Sequence, residues 1–290
     1  MELSSDFKAL LSSIQPGDQD VTDAKAAHEK VRDQLRNDSE FKDAHKDTFL
    51  SGSYARHTAI NDINDVDVIC VIDINRDITD ADVVLAWTQG ILAKYYKETK
   101  RQGRSVGAQA AKGVWLDIVP ATPIAADDGP LWIPDREANQ WVKTHPKGQI
   151  QAATDKNKDT DGYYVQVVKL MKFWRDRLPR ESCRLKSYIL ESMIHGNIGS
   201  PTSHAVAVVN ALEGMERTYG AYRDLGIVPT ISDPGYASVS VAKHWQVADF
   251  KDFMEQVKSA ASTARKALDS TDESESLKLW RKIFGSQFGE

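Results

Sequence analysis

Residues 50–72 and 115–119 constrain this chain more than any other part of it. The first stretch reads LSGSYARHTAINDINDVDVICVI and the second WLDIV. In an extended strand, side chains at i and i+2 point to one face. Asp65 and Asp67 therefore project together at the start of an apolar strand, while Val66 and Val68 turn to the opposite face. Asp117 is the single acidic residue in the second apolar run. If the two strands are neighbours, three carboxylates meet on one sheet face.

Such a trio repels itself, and a cation is the usual reason to build one. Ligands that are all oxygen suit Mg²⁺ or Mn²⁺, and a pair of such ions about 3.5–4 Å apart is the common device for in-line phosphoryl displacement. Ahead of the aspartates, Gly52-Ser53 leads toward a helix start. That turn offers backbone N–H groups and a hydroxyl to a phosphate, with no bulky side chain in the way. A metal on one side and a phosphate cradle on the other make a nucleoside triphosphate site. Each piece has a plainer reading, because Gly-Ser is a common turn and Asp-x-Asp caps or solvates many loops. The order of the pieces favours the site: a Gly-Ser turn, then paired aspartates opening a strand, then a lone Asp inside an apolar one.

The 290 residues suit two packed lobes better than one core, and 41% hydrophobic residues are enough to fill them. A net charge of −5 argues against a protein whose main business is coating nucleic acid. No long apolar run and no basic-then-apolar start is present, so neither a membrane span nor a secretory signal is expected. A cytoplasmic location follows as the expectation. Cys70 falls within the apolar strand as a small hydrophobe, and Cys183 is distant in sequence.

Periodicity predicts a helix over 21–35, a short helical turn at 41–45 and a strand at 48–50. Residues 1–20 read as polar around a short apolar patch, with Pro16-Gly17 as a break. A helix is predicted over 81–96 with Asp80 as its N-cap, then strands near 104–108 and 113–119. Ile133-Pro134 is the expected end of the sheet lobe, and from Glu137 onward the pattern reads as helical. Helices are predicted over 163–178, 185–194, 204–222, 245–268 and 277–284, interrupted by a Pro/Gly-rich break at 230–240. The fold class is thus α+β, with a sheet lobe at 1–136, a helical lobe at 137–290 and an active site in the cleft between them. Residues 59–82 carry seven aspartates and one arginine, whereas 161–186 carry seven Lys/Arg and three Asp/Glu. An acidic strand and a basic helical segment are what a metal–triphosphate needs, although most of those basic residues read as a solvated face.

GSYARHT, DVDV and WLDIVP together resemble the signature of the polymerase-β-like nucleotidyltransferases. With IPDREANQWVKTHP, VVKLMKFWRD, LKSYILES and ISDPGY in the same order, the chain is most similar to the bacterial CD-NTases of CBASS anti-phage systems, relatives of animal cyclic GMP-AMP synthase and the oligoadenylate synthases. The resemblance implies a Mg²⁺- or Mn²⁺-dependent enzyme, holding two ions, that makes a cyclic di- or trinucleotide from ATP and other nucleoside triphosphates. It implies that Asp65 and Asp67 hold both ions and that Asp117 holds the ion at the attacking hydroxyl and takes that hydroxyl's proton. Gly52, Ser53, Lys172 and Ser187 would orient the triphosphate, and Tyr188 would stack on the base. Lys169 competes with Lys172 for the phosphates, and a half-buried structural tyrosine is the alternative for Tyr188. Arg56 reads equally as a phosphate contact or a surface ion pair. His45, His57 and Asp233-Pro234 carry no assigned role. The His/Cys zinc insertion of the animal DNA sensor is missing, so activation by double-stranded DNA is not expected, and a regulatory partner such as a HORMA-type protein is. Through KLMKFW and IPDREANQW, the resemblance implies a three-membered, adenine-containing ring. A transferase acting on an RNA end or a protein, and an inactive nucleotide-binding module, are the other readings.

Overall fold

The computed structural model describes residues 1–61, 63, 65–125, 129–179 and 185–290. These form two compact units, one of residues 16–151 and one of residues 1–15 together with 152–290. The chain opens with α1 (Ser4–Ile14), which belongs to the second unit.

In the first unit, α2 (Asp18–Asn37) precedes β1 (His45–Leu50), the short α3 (Gly52–Ala55), β2 (Asp65–Ile72) and α4 (Ala81–Leu92). Strands β3 (Thr99–Arg101), β4 (Val106–Gln109), β5 (Trp115–Pro123), β6 (Leu131–Asp135) and β7 (Gln140–Thr144) follow. Their order is β1-β2-β5-β4-β3, with β6 continuing from the end of β5 and β7 alongside β6. Only the β2–β5 pairing is parallel among these, and its register sets Asp67 directly opposite Asp117.

Alternation sorts the two faces of β2. Val66, Val68, Cys70 and Ile72 are buried with Leu116, Ile118, Val106 and Ala108 beneath the apolar stripes of α2 (Val31, Leu35) and α4 (Val84, Leu85). The opposite face begins with Asp65 and Asp67 and continues into Ile69 and Val71, which pack with Ala121 and Leu131. Asp80 stands at the N-cap of α4, but its side chain makes no capping hydrogen bond.

The chain passes into the second unit within α5 (Pro146–Asp159). That unit is built from α1, α6 (Tyr163–Asp176), α7 (Ser187–Asn197), α8 (His204–Leu225), α9 (Val247–Asp269) and α10 (Glu273–Phe284), with a hairpin of β8 (Ser232–Asp233) and β9 (Tyr236–Ser240). Ser203 caps α8 by accepting the Val206 N–H at 3.3 Å, and Gly226 ends it in the left-handed region at φ 69°.

Three expectations change. Residues 1–15 form a helix and group with the helical unit, because Phe7, Leu10 and Ile14 sit at helical spacing and are all buried. Phe7 lies edge-on to Trp280 and Phe288 at 5.0 and 4.9 Å, contacts no local pattern reveals. The sheet also runs past Pro134: β7 pairs with β6 across 131–135, and Pro134 is tolerated where β6 has a neighbour on one side only. The helical region accordingly starts later than Glu137, and the compact units divide at 151/152 rather than 136/137. Cys70 is buried and free; Cys183 lies outside the described residues.

Candidate active site

The site in the first unit is assembled by three backbone features. Strand β1 ends at Leu50, and the Ser51 N–H donates to the Asp67 carbonyl at 2.9 Å. Gly52 follows at φ +66°, a conformation that costs little only without a Cβ. A Cβ there would fall 1.7 Å from Asp67 Oδ2, so the glycine is also the space that the carboxylate occupies. The turn continues as the one-turn helix α3, and the Thr58 N–H closes it onto the Ser53 carbonyl at 2.9 Å.

Asp67 and Asp117 are brought side by side by the parallel register, and Asp65 lies two residues before Asp67 on the same face. Burial, then the charges of Asp65 and Asp117, push the Asp67 carboxyl up to about 6. Burial and Asp65 likewise raise Asp117, partly offset by a hydrogen bond that Gln102 Nε2 donates to Asp117 Oδ1 at 2.7 Å. Arg56 works the other way on Asp67, lowering its proton affinity. Arg56 is 7% exposed, so the surface ion-pair reading of this residue does not hold.

Among the described residues no group of three His, Cys, Asp or Glu side chains is placed to hold a metal ion as it stands. The donor set nonetheless fits a hard divalent cation. It is all oxygen, the charge of Asp65 helps keep protons on Asp67 and Asp117, and Gly52 leaves the Asp67 carboxylate unobstructed beside a turn of backbone N–H groups. Gly107 does the same for Asp117, its register partner in β4. A Cβ there would come within 2.9 Å of Gln102 Nε2 and 3.3 Å of Asp117 Oδ1. Sequence reasoning missed Gln102 and Gly107; a glycine inside a strand was the available signal for the second.

In the helical unit, α6 and α7 carry the other predicted residues. Lys172 Nζ lies 2.6 Å from Glu191 Oε1, with the two side chains 4% and 1% exposed. Its charge thus has a buried carboxylate partner. Arg175 Nη1, three residues on, donates to Ser187 Oγ at 2.8 Å. Tyr188 donates its phenol to Asp233 Oδ1 at 2.6 Å, which gives Asp233 a part in holding that ring. Lys169 is half-buried, and desolvation lowers its proton affinity. Glu191, Arg175 and the Asp233 contact were missed. An acid inside the apolar face of α7, between Leu190 and Met193, was the clue to the first. His45 makes an ordinary bond to Thr48 Oγ1 at 2.6 Å.

A family model described as the Second Messenger Oligonucleotide or Dinucleotide Synthetase domain matches residues 1–157. A cyclic AMP-AMP-AMP synthase of Acinetobacter sp. (strain ATCC 27244 / 9458) is 34% identical over 299 residues, spanning 99% of this chain and 86% of the relative. The chain belongs to the second messenger oligonucleotide or dinucleotide synthetase family. A second member, the cyclic AMP-AMP-GMP synthase of Enterobacter hormaechei subsp. hoffmannii (strain UCI 50), is 28% identical and covers 99% of this chain and 92% of its own. The fold is shared with CdnC of E. coli MS115-1, solved with ATP (TM-score 0.79, 18% identity, 99% of each chain) and in complex with HORMA-deltaN (TM-score 0.78, 18% identity, 100% and 99%). As a member of this synthetase family, the chain is a CD-NTase: a nucleotidyltransferase that makes a cyclic oligonucleotide from nucleoside triphosphates. Synthetases of this family use divalent metal ions. No helix among the described residues is long and apolar enough to cross a membrane.

Proposed function

We propose that the enzyme condenses ATP, alone or with a second nucleoside triphosphate, into a cyclic trinucleotide that serves as an anti-phage signal in the cytoplasm. The observation that carries this reading is the pairing of Asp67 with Asp117 across two parallel strands, with Gly52 packed on the first carboxylate. The adenine and the ring size rest on the names of the relatives, which are cyclic AMP-AMP-AMP and AMP-AMP-GMP synthases.

Asp65 and Asp67 are the residues to hold two Mg²⁺ or Mn²⁺ ions, with Asp117 completing the set. When bound, such ions neutralise phosphate charge and acidify the attacking hydroxyl. Asp117, held in place by Gln102, would accept that hydroxyl's proton. Gly52 and Ser53 hold phosphate oxygens through the backbone N–H groups and hydroxyl of the turn. In the helical unit, the Arg175–Ser187 pair is proposed to hold phosphate oxygens, and Tyr188, fixed by Asp233, to carry a base. Lys172, whose charge is neutralised by the buried Glu191, is proposed to brace α6 against α7. Positioning and charge neutralisation are most of the catalysis in such phosphoryl transfers. A partner of the HORMA kind is proposed as the regulator, since the CdnC neighbour is solved with HORMA-deltaN.

The test is to incubate the purified protein with labelled nucleotides and Mg²⁺ or Mn²⁺, with and without a HORMA-type partner, treat with phosphatase and analyse by mass spectrometry. Cyclic products have no terminal phosphate and survive. Phosphatase-sensitive linear ladders, or label on added RNA or protein, would overturn the cyclic-trinucleotide reading. D65A/D67A should abolish product while the circular dichroism spectrum stays unchanged.

A further inference from the structure

The helical unit holds a cavity of about 420 Å³ between α1, the α5–α6 turn and α6, and of the residues described above only Lys169, the sequence's competitor to Lys172, lines it. Two lysines, Lys8 and Lys169, line it, and no carboxylate does. Neither lysine makes an ion pair or hydrogen bond with the described residues. Lys169 is half-buried, so its ammonium has given up water without gaining a counter-ion. Burial, then the charge of Lys8, depress the proton affinity of the neighbouring His204.

The neutral polar groups of the cavity are oriented the same way. The Val165 N–H donates to Asn157 Oδ1 at 3.0 Å, which uses the Asn157 oxygen and leaves its NH₂ to donate. His204 Nε2 donates to Gln166 Oε1, which leaves the Gln166 NH₂. Ser12 adds a hydroxyl and Gln15 another amide. The first N–H groups of α6 contribute nothing here. Tyr164 donates to Thr160 Oγ1 at 3.0 Å and Val165 to Asn157, so the donors are side chains. Two ammonium groups and several uncommitted donors with no acid present match one kind of ligand: a compact dianion with many acceptor oxygens. Leu11 and Val165 supply an apolar wall for whatever carries it, and the volume falls within the range of about 300–1,000 Å³ usual for small-molecule pockets.

We propose that this cavity binds the phosphate group of a small phosphorylated molecule. The probes are inorganic phosphate and AMP, and the readout is the rate of acetylation of Lys169 in the full chain, mapped by mass spectrometry. Both probes should slow acetylation of Lys169 saturably, by about tenfold, while the exposed Lys243 is unaffected and chloride at matched ionic strength has no effect. Protection by AMP at lower concentration than phosphate identifies a nucleotide as the carrier; equal protection identifies phosphate itself. The Lys8→Gln substitution, at an exposed position, should weaken the protection constant about tenfold with an unchanged circular dichroism spectrum. No protection by either probe, equal protection by chloride, or protection only by duplex DNA would each overturn the proposal.

Discussion

Replacing Asp67 by Asn should stabilise the metal-free protein above neutral pH and leave it unchanged in acid. Asp67 has a native pKa of about 6 against 3.8 for an ordinary Asp, because burial and the charges of Asp65 and Asp117 oppose ionisation. The folded state therefore holds its proton more tightly than the unfolded one. The sign follows: this stabilisation is fully present below the unfolded value, and it is lost as pH rises through about 6. A shift of about 2 units at about 1.36 kcal/mol each is about 3 kcal/mol, which the wild type loses between pH 4 and pH 6 and the Asn variant does not. Hydrogen exchange of β2 peptides, corrected for intrinsic rates, measures this locally. In EDTA at about pH 8, D67N should exchange about 100-fold more slowly than wild type, and at about pH 4 the two should coincide. Adding Mg²⁺ should protect the wild type and not the variant. If the difference between the two proteins were the same at both pH values, packing rather than charge repulsion would be its cause, and the account of the acidic face would fail.

Gly52→Ala should cost about 1–2 kcal/mol for its left-handed backbone and push Asp67 aside, so product formation should fall about 100-fold or more while the thermal midpoint shifts modestly. Lys172→Ala strands Glu191 in the interior and should destabilise the helical unit by about 3–5 kcal/mol, with stability and activity both returning in K172M/E191L. An unchanged melting temperature with a raised KM for nucleotide would show instead that Lys172 spends its charge on phosphate. Tyr188→Phe loses the bond to Asp233, worth about 1 kcal/mol, and should keep most activity, whereas Tyr188→Ala should not; equal losses in steady-state assays would remove the ring from the base-binding role.

The clustering of Asp65 and Asp67 was legible because strand alternation is strictly local. The i, i+2 spacing fixed Asp65 and Asp67 to one face without reference to anything distant, and the lone Asp117 in an apolar run marked its own strand. The helix patterns of α6 to α10 came from the same kind of local periodicity. Only tertiary structure could decide that β2 and β5 run parallel in a register that sets Asp67 on Asp117, since a one-residue slip would have parted them. The same holds for Gly107 and Gln102, whose importance is their nearness to a carboxylate on another strand. Lys172 and Glu191 are nineteen residues apart on different helices, so the sequence offered a lysine on an apolar edge and no sign of its partner. Local spacing determines which way a side chain points; what it meets there depends on how distant segments pack, and no local pattern encodes that.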